Sequence, residues 1–247
     1  MNQSVVKALN MLELFTEDVD ELTLKEIAIK ANLPKPTAYR LLSSLEAMGY
    51  VHKLKNSEHD SRYRLGLKLL ELGQLVADQL EVRKTALPFM ESLAEQINEA
   101  VHLVIVNQHE ATYIEKVESN KALRLYTRIG KSSPLYIGSG PKLLLAYLPE
   151  DEQEAIVTKT NNERLAQELM LIRERGYAFS IGEQDTDTTG ISYPIYDHRN
   201  QVIAALTVSG LSSYFIGENL ELIKEKTLQT AMDISNKLGY RSQLRKE

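Results

Sequence analysis

Residues 23–49 read TLKEIAIKANLPKPTAYRLLSSLEAMG, and the punctuation of this stretch decides the architecture of the N-terminal part of the chain. Thr23 and Glu26 stand at capping-box spacing, in which the two side chains satisfy free backbone N–H groups at a helix start. A helix is expected from there to about Ala31. Asn32-Leu33-Pro34 interrupts it, and a further helix begins near Pro36, because proline is tolerated in a first turn, and ends at Gly49 as a C-terminal cap. Ala38, Leu41, Leu42, Leu45 and Met48 make the apolar face of that second helix, and Lys35, Thr37, Tyr39, Arg40, Ser43 and Ser44 lie opposite. Two helices joined by a tight turn, the second carrying exposed donors, form the arrangement in which the second helix enters a DNA major groove. Lysine and arginine neutralise phosphates there, while hydroxyls bond to phosphates or base edges.

Working outward, Val5, Ala8, Leu9, Leu12 and Phe15 recur at helical spacing and predict an amphipathic helix from Ser4 to Phe15. Downstream, Tyr50 to Leu54 and Ser61 to Leu65 read as two short strands around a polar tip, Lys55 to Asp60. Arg62 and Arg64 alternate with Tyr63 in the second strand, so both guanidinium groups leave one face. Charge segregates along this region. Six acids and one base lie between Leu12 and Glu26, whereas seven bases and three acids lie between Lys30 and Arg64. A basic helix followed by a basic hairpin is the order of a winged helix-turn-helix, expected over residues 1–66. A solvated surface would account for a lone basic helix but not for this order.

Leu67 to Leu80 carries apolar residues around most of its circumference, including Leu72 and Val76, and a helix apolar on more than one side needs more than one partner. A linker helix over 67–81 that also packs on another copy of itself is one reading, and an ordinary buried helix is the other. From Val82 the pattern becomes α+β. A helix runs to about Asn98, strands are expected at Val101 to Val106, Ala111 to Val117 and Ala122 to Ile129, and helices fall between Gly140 and Arg175. Strands return at Tyr177 to Ile181, Ile191 to Tyr196 and Val202 to Ser209, before a long helix from Glu218 to Leu238. Short hairpins such as Asn107 to Glu110 join neighbouring strands, so the sheet over 82–247 is expected to be mainly antiparallel.

Composition removes several function classes. A net charge of −5 from 29 basic and 34 acidic residues argues against a uniformly nucleic-acid-coating or membrane-surface protein and leaves a local basic patch open. The absence of cysteine excludes disulfides and thiolate chemistry and fits a reducing cytoplasm. The N-terminus lacks a small-residue cleavage site, and the longest apolar runs fall far below the roughly 20 residues of a membrane span. Five histidines, His52, His59, His102, His109 and His198, show no metal-ligand spacing. Gly138-Ser139-Gly140 is not a nucleophile elbow, and no phosphate-binding glycine loop is present. No cofactor, metal or catalytic residue is expected. A small-molecule-binding enzyme with an appended interaction domain is the competing class.

Strand periodicity marks a candidate ligand site. In Val202 to Gly210, Ala204, Leu206 and Val208 face one way and Ala205, Thr207 and Ser209 the other. Two hydroxyls on one face suit either a concave polar site or a solvated sheet surface. Ser139-Gly140-Pro141 opens a helix, whose N-terminus offers free N–H groups to an anion, although plain capping would also explain the serine.

The words VVKALNMLELF, LTLKEIAIKANLPKPTAYRLLSSLEAMGYV, YRLGLKLLELG, SPLYIGSGPKLLLAYL, RGYAFSIGEQ and VIAALTVSG occur in an order that resembles the IclR family of bacterial transcriptional regulators, over nearly the whole chain. The resemblance implies an N-terminal winged helix, a linker helix and a C-terminal GAF-like effector-binding domain, assembled as homodimers or dimers of dimers. It implies operator DNA as one partner and a small organic acid or carbonyl effector as the other, with repression the common mode. Carried over by position, the effector site would include Ser139, Gly140, Gly190, Thr207 and Ser209, with Glu183 at an acidic family position near the mouth. Two departures stand out. The common loop pattern T-A-x-G-K-A is here Gly138-Ser139-Gly140-Pro141-Lys142-Leu143, and Gly190 replaces a frequent cysteine.

Overall fold

The computed structural model describes residues 2–16, 18–55, 61–79, 81–121, 127–160 and 162–241, which form two compact units, 1–79 and 80–247. In the first, α1 (Gln3–Leu12), β1 (Leu22–Thr23), α2 (Leu24–Lys30), α3 (Lys35–Ala47), β2 (Val51–Lys55), β3 (Ser61–Leu65) and α4 (Leu67–Gln79) follow one another. The capping box is complete: Glu26 N–H donates to Thr23 Oγ1 at 3.3 Å and Thr23 N–H donates to Glu26 Oε2 at 2.7 Å. These bonds and the field of Arg62 hold the Glu26 carboxyl below its usual pKa, the backbone bond from Thr23 contributing most. Met11, Ile27, Leu42, Leu45, Val51 and Tyr63 pack into the core beneath α3.

Three details of this unit differ from the sequence pattern. α1 stops at Leu12, three residues short of Phe15. Met48, placed on the apolar face by spacing, is 66% exposed, because α3 ends at Ala47 and Met48 is its C-cap. Leu22–Thr23 adds a third, edge strand, giving the order β1-β3-β2; two residues are too few to show an alternation. The start of α4 is pinned to the end of α3, since Gly66 N–H donates to Tyr50 O at 2.8 Å and Lys68 N–H to Gly49 O at 3.3 Å. A Cβ on Gly66 would lie 2.0 Å from Gly49 O, so glycine is required at this crossing.

The second unit is a six-stranded antiparallel sheet covered by helices on both faces. Its elements are α5 (Glu81–Ile97), β4 (Ala100–Asn107), β5 (Glu110–Val117), β6 (Ser132–Pro134), α6 (Ser139–Tyr147), α7 (Glu150–Thr160), α8 (Glu163–Arg175), β7 (Ala178–Ile181), β8 (Thr188–Tyr196), β9 (Val202–Leu211) and α9 (Gly217–Lys237), with strand order β6-β5-β4-β9-β8-β7. Ala204, Leu206 and Val208 of β9 and Ile191, Tyr193 and Ile195 of β8 join α5 and α9 in one core. Val104, Ala111 and Ala205 join α6 and α8 in the other. The two-residue hairpin between β4 and β5 places Gln108 and His109 at positive φ (49° and 67°), as a tight primed turn demands. Of the strand expected at Ala122 to Ile129, residues 122–126 lie outside the described residues and Thr127 to Ile129 belong to no strand. The edge position beside β5 is taken instead by Ser132–Pro134. Among the described residues no helix is long and apolar enough to cross a membrane.

The reciprocal cap makes a direct prediction. Thr23→Ala removes the oxygen that accepts Glu26 N–H and should destabilise the N-terminal unit by about 1 kcal/mol, within the usual 0.5–2 range for such caps. Urea unfolding followed by helical circular dichroism would read it, and an unchanged midpoint would show that the box contributes nothing.

Candidate functional site

In the N-terminal unit, Lys35, Tyr39, Arg40 and Ser44 of α3 are exposed and Thr37 and Ser43 half-buried, while Ala38, Leu42 and Leu45 turn inward. Ser44 Oγ donates back to Arg40 O at 3.2 Å, which leaves its lone pairs at the surface. No side chain caps the N-terminus of α3, so its first N–H groups add a positive end to the basic face. In the hairpin, Tyr63 is buried and Arg62 and Arg64 occupy the flanking positions of β3, paired with Leu54 and His52 of β2. Arg64 is exposed; Arg62 lies across from Thr23 and within electrostatic reach of Glu26. Lys53 of β2, which the sequence reading counted only as a charge, lies 6.0 Å from the ring centroids of both Tyr39 and Tyr63. It carries the wing's positive charge to the face of α3.

The second unit holds a small polar cavity of about 30 Å³ between the N-terminus of α6 and strands β4, β8 and β9. Ser139, Gly140, Glu183, Gly190, Thr207 and Ser209 all line it, together with His102, Tyr113, Ser180 and Gln184. Strand alternation delivers the hydroxyls. Thr207 and Ser209 of β9 and Gly190 and Ser192 of β8 share the sheet face beneath α6. Ser192 Oγ donates to Ser139 Oγ at 2.8 Å and lies 2.8 Å from Thr207 Oγ1. Ser139 is thus the first residue of α6 rather than its cap, and its N–H donates to Ser180 Oγ at 3.1 Å. The glycines permit this closeness: a Cβ on Gly190 would lie 2.6 Å from Ser139 Oγ, and one on Gly140 2.6 Å from Thr207 Oγ1.

Glu183 closes one side. Its Oε2 accepts Gly138 N–H at 2.8 Å and its Oε1 pairs with buried Lys142 Nζ at 2.5 Å; Glu168 Oε1 meets the same ammonium at 2.5 Å. Next to it, Gln184 Nε2 donates to Tyr113 Oη at 3.0 Å, and burial pushes the Tyr113 phenol pKa up.

The residue the sequence reading passed over is His102. Its side chain is 1% exposed, its Nε2 lies 3.0 Å from Ser209 Oγ, its ring meets Tyr113 edge-on at 5.7 Å, and Nδ1 has no hydrogen-bond partner. Burial, aided by the charge of Lys116, lowers its pKa to about 3, so the imidazole is neutral. Metal spacing was the wrong test for this histidine; an isolated polar residue inside the apolar run Val101 to Val106 was the available signal. Among the described residues no group of three or more metal-ligating side chains converges.

With these two sites in place, the relatives are informative. A family described as "Bacterial transcriptional regulator IclR C-terminal" matches residues 74–236, and "IclR helix-turn-helix domain" matches residues 4–55. The chain belongs to the IclR family of transcriptional regulators. It is similar to the HTH-type transcriptional regulator KipR of Bacillus subtilis (strain 168), 38% identical over 97% of this chain and 98% of the relative. Among solved structures it resembles the Thermotoga maritima IclR, with a TM-score of 0.79 and 30% identity over 97% of this chain and 100% of that one. It also resembles an IclR homolog of Microbacterium hydrocarbonoxydans, solved in complex with 4-hydroxybenzoate, with a TM-score of 0.84 and 25% identity over 96% and 99% of the two chains. As an IclR-family member the chain is a DNA-binding transcriptional regulator and not an enzyme, which removes the competing class.

A neutral buried histidine has a pH signature. The unfolded imidazole titrates near 6.5 and the folded one at about 3, so its contribution to stability is present above pH 6.5 and is lost as pH falls from there towards 3. Denaturation curves across that window should show a shallower acid loss for His102→Gln than for the wild type; parallel curves would mean the folded ring protonates normally.

Proposed function

We propose that the chain is a repressor whose operator affinity falls when a small organic acid or carbonyl compound occupies the cavity beneath α6. The observation that carries this reading is a buried, hydroxyl-lined cavity with an unpartnered histidine nitrogen, located in the unit that does not bear the DNA-reading helix. A site separated from the reading helix has a role in control rather than in contact. The homolog bound to 4-hydroxybenzoate, a hydroxylated aromatic acid, supports the ligand class.

On the DNA side, Lys35, Thr37, Tyr39, Arg40, Ser43 and Ser44 read the major groove, and Arg62, Arg64 and the neighbouring Lys53 hold phosphates. Salt-sensitive binding follows, because each neutralised phosphate releases counterions. Repression follows where the bound operator blocks a promoter. The acting species is a homodimer, or a dimer of dimers, joined through α4. Leu67, Leu70 and Leu75 are 83%, 70% and 53% exposed in the single chain, and Met48 borders the same groove as Leu67 and Leu70. Apolar surface of that kind marks an interface, and a twofold protein reads a palindromic operator.

Duplexes selected from a random pool for tight binding provide the operator test. Arg40→Ala should lose at least tenfold in affinity, since one arginine contact to a guanine is worth about 1–3 kcal/mol, with the melting temperature unchanged. Equal affinity for the selected duplex in a gel-shift titration would remove Arg40 from the interface.

Self-association is tested separately. Leu70→Asp sets a charge against the apolar face and should shift the protein towards monomers in sedimentation velocity. A folded dimer in that variant would place the interface elsewhere.

A further inference from the structure

The anion position of the cavity is already filled in part by the protein itself. α6 is a nine-residue helix whose N-terminus would attract an anion through its free N–H groups and dipole. Glu183 sits there, accepting Gly138 N–H and pairing with Lys142. Ser139 N–H is taken by Ser180 and Pro141 has no N–H to offer, which leaves Gly140 N–H as the further donor of the first turn. Lys142 already faces two carboxylates, Glu183 and Glu168, so this cluster of one ammonium and two acids has no charge to spare for a third. The charged residues lining the cavity, Glu183 and Asp185, are both acidic.

We propose that Glu183 is an internal stand-in for the ligand's carboxylate, and that an acid enters by exchanging with it at Gly138 N–H and the Lys142 ammonium. The charge balance closes: the ammonium keeps two carboxylates throughout, one of them now the ligand's, while Glu183 moves into water. Its surroundings allow that movement. Residues 182–187 are exposed, and the neighbouring Gln184 is tied to Tyr113 by its side chain. A second feature points to a ligand in the same cavity: His102, which lines it, is buried and its Nδ1 has no partner. The exchange makes Glu183 the residue that sets the threshold for acid binding. It rests on reading the cavity as the effector site, but its test does not require the effector.

The experiment uses the full chain as wild type, Glu183→Ala and Glu183→Gln, with acetate as the probe and acetamide as its neutral counterpart, at constant ionic strength. Lys142 retains Glu168 in both variants, and glutamine still offers an oxygen to Gly138 N–H, so at least one variant keeps the fold. Calorimetry should show acetate binding Glu183→Ala at least tenfold more tightly than wild type, a smaller gain in the same direction for Glu183→Gln, and no gain for acetamide in either. Equal acetate affinity in wild type and both variants overturns the exchange, and so does an acetamide gain as large as the acetate gain. Binding to the selected duplex, measured in parallel, separates the two readings. An acetate gain with operator affinity indifferent to acetate upholds the exchange at Glu183 and rejects control of DNA binding through this cavity.

Discussion

A sheet covered on both faces cannot leave a hydroxyl unpaired without a desolvation cost of about 1–3 kcal/mol, and this constraint shapes the C-terminal unit. The α5/α9 face meets it by being apolar. The α6 face does not, since β8 and β9 send Ser192 and Thr207 into it and β4 sends His102. The solution is a helix that starts with a serine over two glycines. Ser139, Ser192 and Thr207 satisfy one another only because Gly140 and Gly190 let their oxygens approach within hydrogen-bonding distance. One member, His102 Nδ1, is left over. The network is complete but for this one atom, and Ser139, Thr207 and His102 line the cavity.

The N-terminal unit obeys the opposite economy. Its core is small and apolar, gathered under α3, and polarity is exported to the outer faces of α3 and β3. Tyr63, buried on β3, forces Arg62 and Arg64 to the other face of the strand, while Leu42 and Leu45 do the same for Arg40 and Ser44 across α3. Interior and interface are therefore specified by the same alternation. The crossing of Gly49 and Gly66 adds a geometric fact, since backbone contact at that point ties the direction of α4 to the end of α3.

Much of this was legible in the sequence because it rests on local chemistry. The Thr23–Glu26 cap, the Pro36 helix start and the alternation from Ala204 to Ser209 each follow from a few adjacent residues, and their observed geometry matches. The six effector-site candidates do line one cavity, which periodicity and resemblance together indicated. What escaped depends on contacts distant in sequence. Ser132–Pro134 has no alternation of its own and is a strand only because β5 offers an edge. His102 resembled a stray histidine until β9 brought Ser209 within 3.0 Å of it. Met48 followed the helical period one residue past the point where the helix ends. Glu183 was visible as an acid near the mouth, but its grip on Gly138 and Lys142 spans more than forty positions in sequence.

Control of DNA binding by a ligand further requires that occupancy of the cavity bias something reaching the other unit, because a ligand shifts an equilibrium only by its differential affinity for the two states. Strand β5 is suited to this by its irregularity. The register between β4 and β5 slips at Leu103/Val104, so Val104 pairs with Tyr113 and Leu103 with Glu115, and Ile114 is the extra residue. The bulge lets Tyr113 face the cavity, where Gln184 holds it, while Glu115, two residues on, meets Arg83 at 2.8 Å in the first turn of α5. A regular strand would have put residues 113 and 115 on the same face. The ion pair that β5 makes thus lies in the first turn of α5, the first helix of the C-terminal unit. Both partners are largely buried, at 19% and 5% side-chain exposure, so the pair is costly to break and is either formed or not. That discreteness is what a two-state element needs if a change at Tyr113 is to be felt at the start of α5 as a change of state rather than dissipated as a small elastic shift.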